Sequence, residues 1–257
     1  MTGLEDDFCD IVRKARFGLS LAAEYAARRA GIDPARLAEL EGGAEPTEEE
    51  ARRLGEVLSL RGQALQAIAA GSYTPPEVAQ RFGDFRVTPV FAEDVGAFCY
   101  AVSSPFGKFA VDAGGGAGRI RAALQGSPEA VLLTHGHRDH IAALPAFGAP
   151  AYAHPALAAE VQGTPLGDGE EIRGLQVLHC PGHSPDMLTF SGPGFAFVGD
   201  TLFAGSLGRA RTPADYEALL QSARRILSLP PETALFSGHG PPTTVGAERE
   251  HNAFVGV

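Results

Sequence analysis

The densest group of chemically active side chains in the sequence occupies residues 135–140, and comprises His135, His137, Asp139 and His140. The apolar run at 130–133 predicts a short buried strand before the group, and 141–144 predicts the start of a helix after it. The group therefore falls on a strand-to-helix loop, where open α/β sheets place their sites. In an extended segment His135 and His137 point to the same side, so both imidazoles can reach one cation. Imidazole and carboxylate without thiolate favour a zinc, iron or manganese site over a closed structural zinc site.

Histidine or aspartate, each beside glycine, also follows three later segments that have the pattern of strands. The predicted strands are 172–179, 195–198 and 234–236, and the residues that follow them are His183, Asp200 and His239. Glycine lets the backbone approach a crowded centre. Together with the group at 135–140, such side chains follow four predicted strands. We therefore expect them to meet in one site.

The elements around these residues alternate between strand and helix from about residue 86, which predicts the α/β class. Further strands are expected at 87–91, 97–102, 108–112 and 149–153, and helices at 119–125 and 155–161. The glycine-rich run at 114–118 lacks the Lys-Ser/Thr of a P-loop. We therefore interpret that run as a flexible turn after a strand that ends in Asp112.

The first seventy residues have an all-helical pattern. Ser20 is the predicted N-cap of a helix at 21–30, Gly31 its left-handed end, and Asp33 the N-cap of the next helix. A capping box predicts another helix further on, formed by Thr47 and Glu50. We expect a helical domain at 1–70, a linker at 71–85 and a catalytic domain at 86–257.

The stretch at 19–43 resembles the helix-turn-helix domain of Cro/C1-type repressors, in which the second helix of the motif reads the major groove. Here that helix offers Arg36 as its one good base- or phosphate-binding side chain. Residues 1–70 hold nine Arg and Lys against thirteen Asp and Glu, which is unfavourable for DNA. These features favour a helical module that packs, forms a homodimer or covers the active site, and they argue against DNA as a partner.

The chemically active residues together resemble the metallo-β-lactamase superfamily over 86–257. The pattern His-x-His-x-Asp-His at 135–140 is followed, in order, by His183, Asp200 and His239. The resemblance implies a four-layer αβ/βα sandwich with its site at one edge, here preceded by the small all-α, helix-turn-helix-like domain.

Two longer stretches, at 199–209 and at 238–249 with Asn252 beyond, are similar to glyoxalase II-like enzymes. That group includes thioester hydrolases and the related persulfide dioxygenases. The sequence stops eighteen residues after His239, so we expect a short form without the C-terminal glutathione-binding domain.

The resemblance also implies two divalent metal ions, with zinc favoured and iron or manganese as alternatives. It assigns His135, His137 and His183 to one ion, Asp139, His140 and His239 to the other, and Asp200 to both. Asp139 and Asp200 are the predicted catalytic carboxylates. A hydroxide shared by the two ions, with its pKa lowered to about 7, would attack the carbonyl of a thioester or a similar small acyl substrate.

The sequence departs from the short relatives at 208–211, where Gly-Arg-Ala-Arg replaces their Gly-Arg-Thr-Asp. Arg209 and Arg211 are candidates to bind a substrate carboxylate, with surface or core-edge ion pairs as the alternative. His154 and His179 also end strands near the site. Each is either a hydrogen-bond partner of a metal ligand or an ordinary packed histidine.

Composition excludes several classes of protein. The net charge of −10 argues against a general binder of nucleic acid or anionic membranes. We find no signal-peptide pattern and no apolar run long enough to span a membrane. The three cysteines are far apart and odd in number, so no disulfide framework is implied. A cytoplasmic location is the simplest expectation.

Three functions remain open on the sequence alone. The first is a binuclear metallohydrolase of glyoxalase II type. The second is a mononuclear iron persulfide dioxygenase, in which His135, His183 and Asp200 form a 2-His-1-carboxylate triad. The third is a DNA-binding regulator whose metal domain acts as a sensor, and the acidic N-terminal segment counts against it.

Overall fold

The computed structural model describes residues 3–255, in which helices and strands alternate after an all-helical start. The helices are α1 (Phe8–Gly18), α2 (Ala23–Ala30), α3 (Pro34–Glu41), α4 (Glu48–Val57), α5 (Gly62–Ala69), α6 (Ala117–Leu124), α7 (Arg138–Ile141), α8 (Leu144–Phe147), α9 (Pro155–Val161), α10 (Pro213–Leu227) and α11 (Val245–His251). The strands are β1 (Arg81–Phe82), β2 (Phe85–Ala92), β3 (Ala97–Ser104), β4 (Gly107–Val111), β5 (Ala130–Leu132), β6 (Ala151–Ala153), β7 (Thr164–Pro165), β8 (Glu171–Ile172), β9 (Leu175–His179), β10 (Leu188–Gly192), β11 (Phe195–Gly199), β12 (Leu202–Phe203), β13 (Ser206–Leu207), β14 (Ala234–Ser237) and β15 (Thr243–Thr244).

The strands form two large sheets and one small hairpin. The seven-stranded sheet has the order β1-β2-β3-β4-β5-β6-β7, and the six-stranded sheet has the order β15-β14-β11-β10-β9-β8. Strand β4 is parallel to β5, and β11 is parallel to β14. Parallel neighbours end at the same edge of a sheet, so the loops that follow these strands lie together.

Alternating side chains build the layers of the fold. In β3, Tyr100 and Val102 belong to the core between the sheets, whereas Cys99 and Ala101 pack under the helices on the outer face. Strand β11 alternates in the same way between the inner core and a second set of helices. The mixed α/β sandwich expected from the sequence, with helices outside two sheets, is confirmed.

The N-terminal helices share a core with the outer face of the six-stranded sheet. Ile11 of α1 and Leu65 of α5 are fully buried in the same cluster as Val198 and Leu235 of that sheet. The backbone joins the two parts as well, since Arg61 N donates to the carbonyl oxygen of Ala253 at 2.8 Å. The division of the chain at 71–85 stays a prediction.

Several helix ends lie where the sequence predicts them. Gly31 ends α2 in the left-handed conformation at φ 64°, and the Asp33 carboxylate accepts a hydrogen bond from Ala35 N at 2.8 Å. Thr47 and Glu50 form the expected capping box of α4. The helical interpretation of this segment therefore holds.

Other boundaries differ from the prediction. Helix α2 begins at Ala23 rather than at 21, with Ala22 as its N-cap, because Ser20 has a φ of 54° and turns the chain. The predicted strand at 172–179 is two strands, because Arg173 and Gly174 have positive φ and form a hairpin turn. Shorter shifts occur at other ends, such as α6, which ends one residue before Gln125.

The helix-turn-helix resemblance stays a prediction, although helices do precede the sandwich. Arg36 does not present a free guanidinium on α3, because its nitrogens donate to Glu50 at 2.8 Å and to Glu39 at 3.1 Å. In the part of the chain that the structure describes, no helix has the length and apolar character needed to cross a membrane.

Candidate metal centre

The structure brings all seven residues singled out by their spacing to one edge of the sandwich. They come from the four segments that follow β5, β9, β11 and β14, and Asp139 and His140 lie on the short helix α7 in the first of these. Their donor atoms form two groups, one of His135, His137, His183 and Asp200 and one of Asp139, His140 and His239. Within each group the donor atoms all lie within 4.8 Å of one another. The convergence of the four strand ends is therefore observed, whereas metal binding by these residues stays a prediction.

The first group has the dimensions of a tetrahedral site. His137 Nδ1 lies 2.9 Å from His135 Nε2 and 2.8 Å from His183 Nε2. Asp200 Oδ2 lies 3.5 Å from His183 Nε2 and 3.9 Å from His135 Nε2. With bonds of about 2.0–2.1 Å to a central ion, tetrahedral ligands lie about 3.3 Å apart. Three imidazoles and one carboxylate can thus bind one cation here.

The second group lies beside the first and shares Asp200 with it. His239 Nε2 is 3.3 Å from Asp139 Oδ2 and 3.4 Å from Asp200 Oδ2. His140 Nε2 is 3.4 Å from Asp200 Oδ1. Because the two oxygens of Asp200 face both groups, this carboxylate can bridge two cations.

Two buried atoms of the centre have no hydrogen-bond partner within residues 3–255, namely His140 Nε2 and Asp200 Oδ1. A buried polar atom without a partner is costly, so such atoms need an explanation. A cation between them would serve as the missing partner of both. The donor set and its unpaired atoms therefore fit divalent metal ions.

Backbone carbonyls orient two of the imidazoles. His183 Nδ1 donates to the carbonyl oxygen of Arg209 at 3.0 Å, and His239 Nδ1 donates to that of Gly96 at 3.0 Å. A proton held on Nδ1 leaves the Nε2 lone pair free to face the centre. Both side chains are thus held in the tautomer that a metal ligand requires.

A carboxylate that the sequence analysis did not identify orients a third imidazole. Asp112 Oδ2 lies 2.8 Å from His140 Nδ1, and the same side chain accepts hydrogen bonds from the backbone and hydroxyl of Thr134. Asp112 has a φ of 59°, an unusual conformation for a residue with a side chain. Asp112 stands at a strand end and close to glycines, as Asp200 does, and this position was the signal that could have identified it.

Close packing explains two of the glycines in the motifs. A Cβ atom on Gly238 would overlap Asp200 Oδ1, and one on Gly208 would overlap the Asp200 carbonyl oxygen. These contacts are too short for any side chain, so both positions require glycine. The glycines allow the Asp200 loop to lie between its neighbours.

The two groups differ in their protonation before a cation binds. Burial lowers the pKa of His135 well below its usual range and that of His183 to about 4. Burial also disfavours the charged form of His239, but its hydrogen bonds with Asp139 and Asp200 raise its pKa to about 10. The first group therefore offers neutral imidazoles at pH 7, whereas His239 holds a proton that a metal ion must displace.

Arg211 lies against the first group. Its Nη2 atom is 2.9 Å from His137 Nε2, on the side of the ring opposite the donor atom Nδ1. A guanidinium can only donate hydrogen bonds. Neither Arg211 nor Arg209 forms an ion pair with a carboxylate in residues 3–255. The structure therefore does not contain the surface or core-edge ion pairs considered as their alternative role. Substrate binding by these two arginines stays a prediction.

His154 and His179 have partners away from the seven residues. Their rings stack on each other with centroids 4.7 Å apart. His179 Nε2 donates to the carbonyl oxygen of Pro185 at 2.9 Å, and His154 Nδ1 accepts from Ala156 N at 3.4 Å. Neither histidine hydrogen-bonds to any of the seven residues within 3–255, and these contacts are those of packed histidines. A role beside a metal ligand stays a prediction.

Comparison with known proteins matches this chain to one protein family. The sequence model of the metallo-beta-lactamase superfamily matches residues 93–172 and 150–239. An uncharacterized protein of Mycobacterium tuberculosis (strain ATCC 25618 / H37Rv) is 32% identical over 205 residues, which cover 61% of this chain and 92% of that protein. The hydroxyacylglutathione hydrolase of Aeromonas salmonicida (strain A449) is 36% identical over 131 residues, which cover 46% of this chain and only 50% of that enzyme.

Solved structures agree with this assignment. The crystal structure of TTHA1623 in a di-iron-bound form has 38% sequence identity and a TM-score of 0.59, and the match covers 66% of this chain and 100% of that chain. The crystal structure of ETHE1 from Myxococcus xanthus has 23% identity and a TM-score of 0.56, covers 65% and 82% of the two chains, and supports the fold alone.

Proposed function

Because the chain belongs to the metallo-β-lactamase superfamily, we propose that it is a hydrolase that uses two divalent metal ions to cleave a thioester or a similar small acyl compound. Zinc is the proposed metal, and iron and manganese suit the same ligands. The substrate class follows from the similarity to hydroxyacylglutathione hydrolases, of which this chain spans about half the length in the match given above.

One observation supports this proposal above all, namely that Asp200 faces both donor groups while its Oδ1 and His140 Nε2 have no partner within residues 3–255. Two divalent ions bound there would supply hydroxide at neutral pH and polarise the substrate carbonyl. The chain's own contribution is geometric. Asp112 and the carbonyl of Arg209 hold His140 and His183 in fixed orientations.

The two buried cysteines are consistent with hydrolysis that needs no protein nucleophile. Cys99 and Cys180 are fully buried, and burial raises the pKa of each thiol to about 11. A protonated, buried thiol is inert, so neither cysteine suits covalent catalysis. The side chain of Asp139 is 33% exposed whereas that of Asp200 is 6% exposed, so Asp139 is the more accessible of the two predicted catalytic carboxylates.

The iron persulfide dioxygenase is the rival function, since it requires only His135, His183 and Asp200. That arrangement leaves the buried His140 Nε2 without a partner in the described residues. A second cation beside Asp139, His140 and His239 accounts for it. The geometry therefore favours the two-ion hydrolase.

The test is thioester hydrolysis in oxygen-free buffer, followed by release of thiol. We expect turnover by the wild-type protein and a loss of at least about 100-fold in Asp200→Asn, since an amide is a poor bridging ligand. Asp168→Asn, an exposed aspartate paired with Arg225, is the matched control and should retain activity. No hydrolysis of any thioester, together with oxygen consumption on a persulfide, would support the dioxygenase instead.

A further inference from the structure

A cavity of about 560 Å³ lies between helix α1 and residues 209–210 of the sandwich. Its α1 wall consists of Asp10, Arg13, Lys14, Arg16 and Phe17. Its opposite wall is Arg209 with Ala210. The volume lies within the range of sites that bind small molecules.

The walls of this cavity carry more cations than carboxylates in a chain whose net charge is −10. Four of its seven lining residues are Arg or Lys, and one is a carboxylate. Internal pairs hold three of the cations in place, and Arg16, for example, donates to both oxygens of Glu41 at 2.5 and 2.8 Å. The guanidinium of Arg209 has no hydrogen bond or ion pair with any residue in 3–255. Arg209 is exposed, so its guanidinium is accessible to an anion from solvent.

The cavity lies beside the metal centre. Arg209 lines the cavity and also accepts the hydrogen bond from His183 Nδ1 through its carbonyl oxygen, at 3.0 Å. On the other side, Lys14 Nζ lies 5.2 Å from the centroid of the Phe203 ring, and that ring lies 5.8 Å from the ring of His239. The two places are therefore neighbours, and a molecule long enough to reach both would place its acyl group at the metal centre and another part in the cavity.

We propose that this cavity, the α1 pocket, binds the anionic end of the substrate whose acyl bond is cleaved at the metal centre. The inference rests on the proposed function and adds a substrate class, namely acyl thioesters whose thiol part carries a carboxylate or a phosphate. Arginine binds either group through paired hydrogen bonds. The N-terminal helices thereby acquire a role, since α1 forms one wall of the substrate site.

The experiment measures binding by calorimetry, independently of turnover. The probes are S-methylglutathione with carboxylates, S-methyl-coenzyme A with phosphates, and the uncharged S-methyl-N-acetylcysteamine. The variants are Arg209→Ala and Arg13→Ala, on opposite walls of the pocket. Arg29→Ala, an exposed arginine on α2 outside the pocket, is the matched control.

We expect at least one anionic probe to bind about tenfold more tightly than the uncharged one, and each pocket variant to lose about tenfold of that affinity. Arg29→Ala should bind like the wild type. The anionic probe that binds identifies carboxylate or phosphate as the recognised group. Equal binding of charged and uncharged probes, or full affinity in both pocket variants, would overturn the proposal.

The pocket and the hydrolase can fail separately. If an uncharged thioester is hydrolysed but no anionic probe binds preferentially, the hydrolase stands and the pocket is wrong. If the anionic probes bind as expected but no thioester is cleaved, the pocket stands and the reaction is wrong.

Discussion

At the scale of single residues, Arg211 occupies a position where a carboxylate would serve the metal centre better. When His137 binds a cation through Nδ1, its Nε2 carries a hydrogen that needs an acceptor, and the guanidinium 2.9 Å away has none to offer. Arg211→Asp, which restores the residue of the similar short sequences, should tighten binding of the first ion about tenfold.

Competition with a chromophoric chelator measures this affinity. Arg119→Asp, which makes the same charge change at an exposed site on α6, controls for long-range electrostatics. An affinity in Arg211→Asp no higher than in that control would show that Arg211 does not hinder the first ion.

The two donor groups should respond differently to pH. His183, with a pKa of about 4, is already neutral at pH 6, so no proton competes with the first ion. His239, with a pKa of about 10, binds a proton more tightly than usual, and a cation must displace it. Affinity for the second ion should therefore rise between pH 6 and 9, by up to about tenfold per pH unit for one proton.

Chelator competition at several pH values separates the two ions by their affinities. Affinity for the first ion should change little between pH 6 and 9, because its imidazoles are already neutral there. Identical pH dependence for both ions would contradict the assignment of His239 to the second group.

The residue types and their spacing predicted the seven residues of the site better than they predicted the groups that orient those residues. The seven residues were recognisable because histidine or aspartate beside glycine follows four strands. Asp112 was missed because its role depends on His140, which is 28 residues away in the sequence. The carbonyls of Gly96 and Arg209 could not be predicted, since every residue has a carbonyl and only tertiary packing selects one.

At the scale of elements, a buried hydrogen-bond network ties the segment after α5 to helix α11. Tyr73 Oη donates to Glu248 Oε1 at 2.7 Å, and Gly205 N and Asn252 Nδ2 donate to Glu248 Oε2 at 2.8 and 2.9 Å. Burial raises the pKa of Glu248, so each of these donors matters to its ionised form.

Tyr73→Phe should lower the free energy of unfolding by about 1–3 kcal/mol, because it leaves a buried carboxylate with one donor fewer. Urea denaturation measures the change. Tyr25→Phe is the control, since Tyr25 is 44% exposed and should change stability little. Equal effects of the two substitutions would show that the network adds no stability.

Element boundaries were predicted less well than element types. Helical periodicity and the caps at Asp33 and Thr47 are local signals, and they hold in the structure. Ser20 has a good capping side chain, but the turn after α1 places it at positive φ and moves the start of α2 to Ala23. The hairpin at Arg173 and Gly174 interrupts an apolar run that otherwise has the pattern of one strand.

At the scale of the whole molecule, the N-terminal helices and the sandwich should unfold together because they share one core. Ile11 of α1 is fully buried in the cluster that includes the outer face of the six-stranded sheet. Ile11→Ala should lower the free energy of unfolding by about 2–5 kcal/mol in a single transition. Phe17→Ala on the same helix, where Phe17 is 47% exposed, is the control. Two separate unfolding transitions, with only one shifted by Ile11→Ala, would show independent domains.

The central claim, that the chain binds two metal ions through a shared Asp200, is tested most directly by the metal content of the purified protein. Elemental analysis of protein prepared without added metal should give about two divalent ions per chain. His140→Ala, which removes a ligand of the second group alone, should reduce this to about one. A wild-type value close to one iron per chain, unchanged in His140→Ala, would contradict the two-ion centre.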